Sequence, residues 1–383
     1  MPKLPPLGLY VHWPFCAAIC PYCDFNVHVL RDAHAADSDV WRTAYTRELD
    51  HAVSMRPQGP VETVFFGGGT PSLMSPDLVA AILTAVDARW GLAAGAEVTL
   101  EANPMSAPEA HLEALRAAGV TRLSLGVQAF DDAALKKLGR THSAEDARTA
   151  FAAAQKIFPR ASFDLIYARP AQSVAAWRQE LQAALALGPQ HMSLYQLTIE
   201  PDTPYARLAA AGKLITPDED MAAALYEVTQ ELTQAAGLRA YEISNHAVPG
   251  HGCRHNVASW QGGDYIGLGP GAHGRITHDD SRFATQAIKN PQDWLAAVAA
   301  RGHGWQVTQK LQAEDAMAEA VMLGLRLRDG IALADLAARG FSLEPSRLDG
   351  ARADGLLSGD QTRLQASPTG RLLLDYLLGR LLA

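Results

Sequence analysis

The sequence predicts an α/β fold: a partial (β/α)6 barrel followed by a C-terminal, mainly helical, winged-helix-like domain. Three observations carry this. Apolar, partly β-branched runs alternate with amphipathic stretches over about 200 residues. That rhythm stops after Gly237, and three of the four cysteines fall in "FCAAICPYCDFN", residues 15–26, directly behind the first apolar run.

Six runs read as strands: "LYVHW", "VETVFFGGG", "AEVTLEAN", "RLSLGVQAF", "SFDLIYA" and "HMSLYQLTI". Amphipathic helices are predicted between them at 76–90, 108–118, 144–158 and 174–187. Ser75-Pro76-Asp77 opens the first, Ser106 stands two residues before Pro108, and Gly119 and Gly188 close two others. Such alternation implies a parallel sheet with right-handed crossovers. Six units fall short of an eightfold closed barrel and leave an open side wide enough for a large substrate. After Gly237 come a strand "AYEIS", a glycine-rich stretch 250–274 and a helical tail from about Pro291. Helices at 313–327 and 333–339, a hairpin at "LLSGDQTRLQAS" and a last helix 369–382 give the winged-helix-like end. The chain then divides into 1–237, the barrel; 238–300, a connecting segment; and 301–383, the C-terminal domain.

Composition bounds the function. Lys plus Arg number 33 against 41 Asp plus Glu, a net charge of −8, which argues against a nucleic-acid footprint. The winged-helix-like end is therefore read as a packing or partner-contact element. No apolar run reaches the roughly 18 residues of a membrane span. Met1 to Leu9 is proline-rich and lacks an apolar centre, so no export signal is read and a cytoplasmic location is expected.

The cysteines are spaced Cys16-x3-Cys20-x2-Cys23. A reducing compartment argues against a disulfide. Structural zinc wants four closed ligands, which His12 or His28 would have to complete. Cys20-Pro21-Tyr22-Cys23 alone matches a thioredoxin-type pair, but that motif opens a helix and has no third cysteine. Buried, inert cysteines leave the clustering unexplained. An iron–sulfur cluster accounts for all three, because one short segment must wrap several corners of a cube, and Pro21 keeps that segment out of regular helix. Three ligands for four irons leave one iron open.

This spacing, with an aromatic residue beside the last cysteine, resembles the signature of the radical S-adenosylmethionine (SAM) proteins. There the open iron chelates the amino and carboxylate groups of SAM, and an electron from the cluster cleaves the sulfonium. The fuller string "LYVHWPFCAAICPYCDFN" resembles one branch, the coproporphyrinogen dehydrogenases (HemN) and their relatives the HemW heme chaperones. The resemblance covers nearly the whole chain. It implies a [4Fe–4S] cluster on Cys16, Cys20 and Cys23, and SAM at Tyr10, Gly68, Gly69, Thr70, Glu101, Gln128, Arg140 and Asp164. These residues stand at strand ends, where ligands gather in parallel barrels. The glycines of "GGGTP" let backbone approach a ligand and offer it N–H groups. Arg140 suits a carboxylate, Asp164 ribose hydroxyls and Glu101 an amino group. One departure is "DLIYARP", where Ala168 and Arg169 replace the family's Gly-Leu. Arg169 either meets an acidic group, such as a porphyrin propionate, or faces solvent.

Cys253 lies in "GCRHNVASWQGGDYIGLGPGAHG", which resembles the HemW segment carrying His-Asn-x-x-Tyr-Trp. Here it reads His255-Asn256-Val257-Ala258-Ser259-Trp260, with Ser259 at the tyrosine position. The resemblance implies His255 as a heme residue; a hydrogen-bonded loop histidine is the alternative. The dehydrogenases usually carry a fourth cysteine where this chain has Phe25, and a long segment ahead of the cluster where only 15 residues precede Cys16. A heme chaperone is therefore expected, with heme, heme-donor or heme-recipient proteins and an electron donor as partners, and no catalytic residue assigned. A coproporphyrinogen dehydrogenase is the alternative. A structural cluster protein without SAM turnover is the third.

Overall fold

The computed structural model describes residues 6–30, 37–279 and 281–382; the leader reading of residues 1–9 falls mostly outside them. Among these described residues sixteen strands follow in order: β1 Leu7–Trp13, β2 Phe15–Cys16, β3 His28–Val29, β4 Val61–Gly68, β5 Leu92–Ala102, β6 Arg122–Gln128, β7 Arg160–Tyr167 and β8 His191–Gln196. Then come β9 Arg239–Ala240, β10 Asn245–Ala247, β11 Asp264–Leu268, β12 His273–His278, β13 Ser281–Ala287, β14 Trp305–Lys310, β15 Ile331–Ala332 and β16 Arg363–Leu364.

The six expected strands are β1, β4, β5, β6, β7 and β8, side by side in that order and parallel. The four expected helices are present as Pro76–Trp90, Glu109–Ala117, Ala144–Ile157 and Val174–Leu185. Ser75 caps the first, with Pro76 in its first turn, and Ser143 with Asp146 forms a capping box on the third. A further helix, Ser38–Met55, links β1 to β4 and buries Trp41, Tyr45 and Leu49.

The sheet is wider than the sequence suggested, with twelve strands in the order β14-β13-β12-β11-β1-β4-β5-β6-β7-β8-β10-β9. β11 lies parallel to β1, and β12 to β14 extend that edge antiparallel. The glycine-rich stretch therefore contributes both β11 and a helix, Arg254–Trp260, and the helical tail is only Pro291–Arg301 before β14 returns to the sheet. The expected strand "AYEIS" is broken: Tyr241–Ser244 bends between β9 and β10 because the Glu242 carboxylate captures the backbone N–H of Ser244 at 2.6 Å and Asn245 Nδ2 at 2.7 Å.

Alternation along the strands separates two chemistries. Leu9, Val11, Val64, Phe66, Val98, Leu100, Leu123, Leu125, Phe163, Leu165, Met192 and Leu194 are buried in the main apolar core. The intervening set, Tyr10, His12, Thr99, Glu101, Arg122, Ser124, Asp164, His191 and Ser193, lines an interior cavity. Packed barrels fill this space with branched apolar side chains. Here it is polar.

A second core joins Val321, Leu325, Ile331, Leu336, Leu348, Leu356, Leu364, Leu377 and Leu381 in the C-terminal unit. Its hairpin pairs Leu357 with Ala366, and its final helical stretch divides into Pro368–Leu372 and Leu374–Leu382 at Leu373. The first helix of this region, Ala313–Arg326, spans the open side of the barrel. Its Glu319 pairs with Arg275 of β12 at 2.7 Å, and its Arg326 with Glu242 beyond β9 at 3.0 Å. Among the described residues no helix is long and apolar enough to cross a membrane.

Candidate functional site

The cysteine loop leaves β1 at the C-terminal end of the strands. Cys16 is buried in the β2–β3 pair, while Cys20 and Cys23 are half-buried and joined by a turn, Cys23 N–H donating to Cys20 O at 3.1 Å. All four cysteines are free thiols. The loop is anchored from several sides. His12 Nε2 bonds Asn26 O at 2.9 Å, and Asn26 Nδ2 donates to the carbonyls of Pro270 and Lys289. Tyr205 N–H donates to Pro21 O, and Gly139 lies so close to Pro21 that an added Cβ would sit 2.6 Å from its ring.

The thiols already have donors aimed at them. Thr70 Oγ1 donates to Cys16 Sγ and Arg140 Nη1 to Cys20 Sγ, each at 3.4 Å. Burial pushes the Cys16 thiol up and that of Cys23 to about 11, and charge on neighbouring cysteines raises both further. Such thiols ionise when a cation takes them, releasing protons. Among the described residues no three His, Cys, Asp or Glu side chains close on a single ion. A four-iron cube holds its thiolates at separate corners, with hydrogen bonds to sulfur of the kind seen here.

The "GGGTP" turn behaves differently from expectation. Its N–H groups, expected to face a ligand, are engaged within the protein: Gly69 donates to Trp13 O at 2.7 Å, Thr70 to Phe15 O at 2.8 Å, and Gly68 to Glu101 Oε2 at 3.3 Å. The turn is a seam clamping the cysteine loop. Gly69 permits it, since a Cβ there would stand 2.6 Å from Phe15 O, and Gly68 adopts φ +107° against the His12 ring.

Behind the seam, Glu101 and Asp164 are both half-buried on the cavity wall. Burial raises the Glu101 carboxyl to about 8, helped by the neighbouring Asp164, and raises Asp164 to about 6 against the hydrogen bonds of Ser193 and Ser124. Gln128 ends β6 at φ 73°, with Oε1 buried and unpartnered. Arg140 Nη2 donates to Gly126 O at 2.7 Å, while its Nε has no partner. Orphaned buried polar atoms of this kind fit a polar ligand that completes them.

Tyr10, Gly68, Glu101, Asp164 and His255 line one cavity of about 700 Å³. Gly69, Thr70, Gln128, Arg140 and the three clustered cysteines are not among its lining residues, though Asp24, Phe25 and Asn26 of the cysteine loop are. His255 lies at the opposite, N-terminal end of the strands. Its Nδ1 bonds Thr63 Oγ1 at 2.9 Å, its ring packs 5.3 Å from that of Phe65, and burial lowers it to about 4, leaving a neutral imidazole. Ser259 Oγ, one turn on, donates to His255 O at 3.0 Å, and both Ser259 and Trp260 line the cavity. Cys253 precedes that helix at the same far end, its N–H bonded to Tyr241 and its thiol raised by burial to about 11.

Arg169 does not face solvent. It is buried in an ion pair with Glu180, whose other oxygen accepts the Phe130 N–H at 2.9 Å. Ala168 beside it adopts φ 55°, which accounts for glycine at this place in the resembled family. Sequence reading missed Arg122, His191, Ser193, Tyr195 and Asn245, all of which line the cavity. Their signal was polar residues at every second strand position.

Comparison with known proteins bears on the fold and the family. The radical SAM superfamily model matches residues 10–182, and the HemN C-terminal domain model matches residues 311–373. The heme chaperone HemW of Escherichia coli (strain K12) is 38% identical over 388 residues, covering all of both chains. The HemW of Mycobacterium tuberculosis is 38% identical over 380 residues, 98% of this chain and 95% of that one. A mouse relative, the mitochondrial radical S-adenosyl methionine domain-containing protein 1, is 42% identical over 98% of this chain and 87% of its own. Among solved structures, the coproporphyrinogen III oxidase HemN of Escherichia coli superposes with a TM-score of 0.81 at 22% identity, over 98% of this chain and 90% of that one.

Proposed function

The chain belongs to the radical SAM superfamily and, within it, to the family of HemW heme chaperones, and on that premise we propose that it binds heme and delivers it to a recipient protein. In this reading Cys16, Cys20 and Cys23 hold a [4Fe–4S] cluster. Glu101, Gln128, Arg140 and Asp164, with Tyr10 and the Gly68–Thr70 turn, surround SAM, and His255 takes heme. The observation that carries the reading is the one polar cavity that reaches from Glu101, behind the cysteine loop, to His255 at the far end of the strands.

When bound, the cluster supplies an electron and one open iron. The chain's own residues do the rest. With its proton on Nδ1, His255 donates to Thr63 and leaves the Nε2 lone pair for iron, the arrangement that orients metal-binding histidines. Arg140 and Thr70 stabilise thiolate charge on Cys20 and Cys16. The Gly69–Trp13 and Thr70–Phe15 hydrogen bonds fix the loop that carries those thiolates. We infer a cytoplasmic location, where four free thiols stay reduced, and partners that donate electrons and accept heme.

The test is anaerobic reconstitution of the cluster, followed by separate titrations with SAM and with heme and by incubation with coproporphyrinogen. Saturable heme binding without porphyrinogen decarboxylation supports the chaperone. Production of protoporphyrinogen without stable heme binding gives the case to the dehydrogenase.

A further inference from the structure

Arg122 opens β6 and turns into the cavity, 2% exposed. Its guanidinium makes one hydrogen bond, Nη1 to the carbonyl of His251 at 3.1 Å, and no ion pair with any described residue. The nearby carboxylates are engaged elsewhere. Glu97 accepts the Arg254 N–H at 2.7 Å and pairs with Arg160 at 3.4 Å, while Asp164 is bonded by Ser124 at 3.3 Å and by Ser193. Two further polar atoms in this wall, His191 Nδ1 and Asn245 Oδ1, are buried without partners. Arg122 is close enough to Asp164 to lower its carboxyl but forms no ion pair with it, and a buried guanidinium so incompletely paired is unfavourable. An anionic group entering the cavity would offset that cost.

The register places this charge with respect to His255. Phe65, Thr99 and Arg122 share one rung across β4, β5 and β6, and the His255 ring packs on Phe65. Two strand spacings, about 10 Å, separate Phe65 from Arg122 along that rung, a span that an arginine side chain and a carboxyethyl arm bridge together. Arg275, which also lines the cavity, is paired with Glu319 at 2.7 Å, and Arg140 is bonded to Cys20.

We infer that Arg122 anchors a carboxylate of the cavity ligand and, granted the heme reading above on which this rests, that it receives a heme propionate while His255 takes the iron. Arg122 then sets the orientation of the macrocycle and selects porphyrins with free acid side chains.

The experiment compares reconstituted full-length wild type with Arg122→Gln, each titrated with heme and with heme dimethyl ester and followed by the Soret band. Wild type is expected to favour the free acid by about tenfold or more, as loss of a charge-assisted bond gives. Arg122→Gln abolishes that preference and leaves the Soret position unchanged, because His255 still coordinates; Arg122→Lys keeps part of it. SAM affinity and the melting temperature of the cofactor-free protein stay at wild-type values or above. A preference retained in Arg122→Gln overturns the inference. So does equal weakening of both porphyrins with a lower melting temperature, which marks a structural arginine, or a loss of SAM affinity alone. Failure of the wild-type protein to bind either porphyrin removes the heme reading itself.

Discussion

Thr63 Oγ1 and His255 Nδ1 lie 2.9 Å apart, a hydrogen bond that ties the helix Arg254–Trp260 to β4 at the N-terminal end of the barrel cavity. It fixes the ring of a neutral imidazole on the cavity wall. If this bond orients a heme-binding histidine, Thr63→Val should weaken heme binding by about tenfold or more, as loss of such supporting contacts commonly does. Cys253→Ala should leave heme binding unchanged, since that thiol is buried in the core ahead of the helix. Ser259→Tyr, which restores the bulk and phenol of the family position facing the cavity, should tighten it. Absorbance titrations of the three variants check this, and a Thr63→Val protein indistinguishable from wild type would detach the bond from function.

The cysteines separate into two roles. Alanine at Cys16, Cys20 or Cys23 should abolish iron and sulfide incorporation on anaerobic reconstitution, while Cys253→Ala should retain the full complement. Cys253 lies at the opposite end of the strands, beside Glu97 and Tyr241. A cluster that survives loss of Cys20, or disappears with Cys253 alone, contradicts the assignment.

In the proposed arrangement Glu101 and Arg140 bear on SAM. Replacing either by glutamine removes a charge-assisted bond worth about 1.5–3 kcal/mol, so affinity should drop by about tenfold or more. Because Arg140 also donates to Cys20 Sγ, calorimetry is meaningful only on preparations with matched iron content. Unchanged affinity in both variants places SAM elsewhere.

Buried titrating groups set the pH profile of the cofactor-free chain. Burial raises Glu101 to about 8, Glu48 to about 7 and Asp164 to about 6. A carboxyl raised above its unfolded value binds protons on folding, so its contribution is present at low pH and lost as pH rises through the folded value. His12, His142, His246 and His255 are pushed by burial to about 4, from an ordinary 6.5. Their contribution is present above 6.5 and is lost as pH falls toward 4. Denaturant unfolding should therefore show greatest stability near pH 6.5, with declines toward pH 5 and pH 8. Glu101→Gln should flatten the alkaline decline between about pH 7 and 8. Stability that climbs steadily through pH 8 would contradict these environments.

The six parallel strands and four of their helices were legible because their signals are local: runs of apolar residues, serine caps and glycine ends. β11 to β14 were not, since their pairing joins segments far apart and glycines such as Gly267 and Gly274 mask the alternation. The cysteine loop was legible because its ligands are nearly consecutive. Arg122, His191 and Asn245 were not, because nothing links them until strands from three parts of the chain share one wall. The Gly68–Thr70 N–H groups were assigned to a ligand because no sequence pattern shows that Trp13 and Phe15 carbonyls lie opposite them. Arg169 was ambiguous for the same reason, its partner Glu180 being on the following helix.

The most direct measurement is a heme titration of the reconstituted chain, wild type against His255→Ala, with heme and iron–sulfur content quantified in the same samples. The expected result is one heme per wild-type chain beside an intact cluster, and a Soret band that shifts or fades in His255→Ala while cluster content is unchanged. Equal heme spectra and affinities in the two proteins would contradict it.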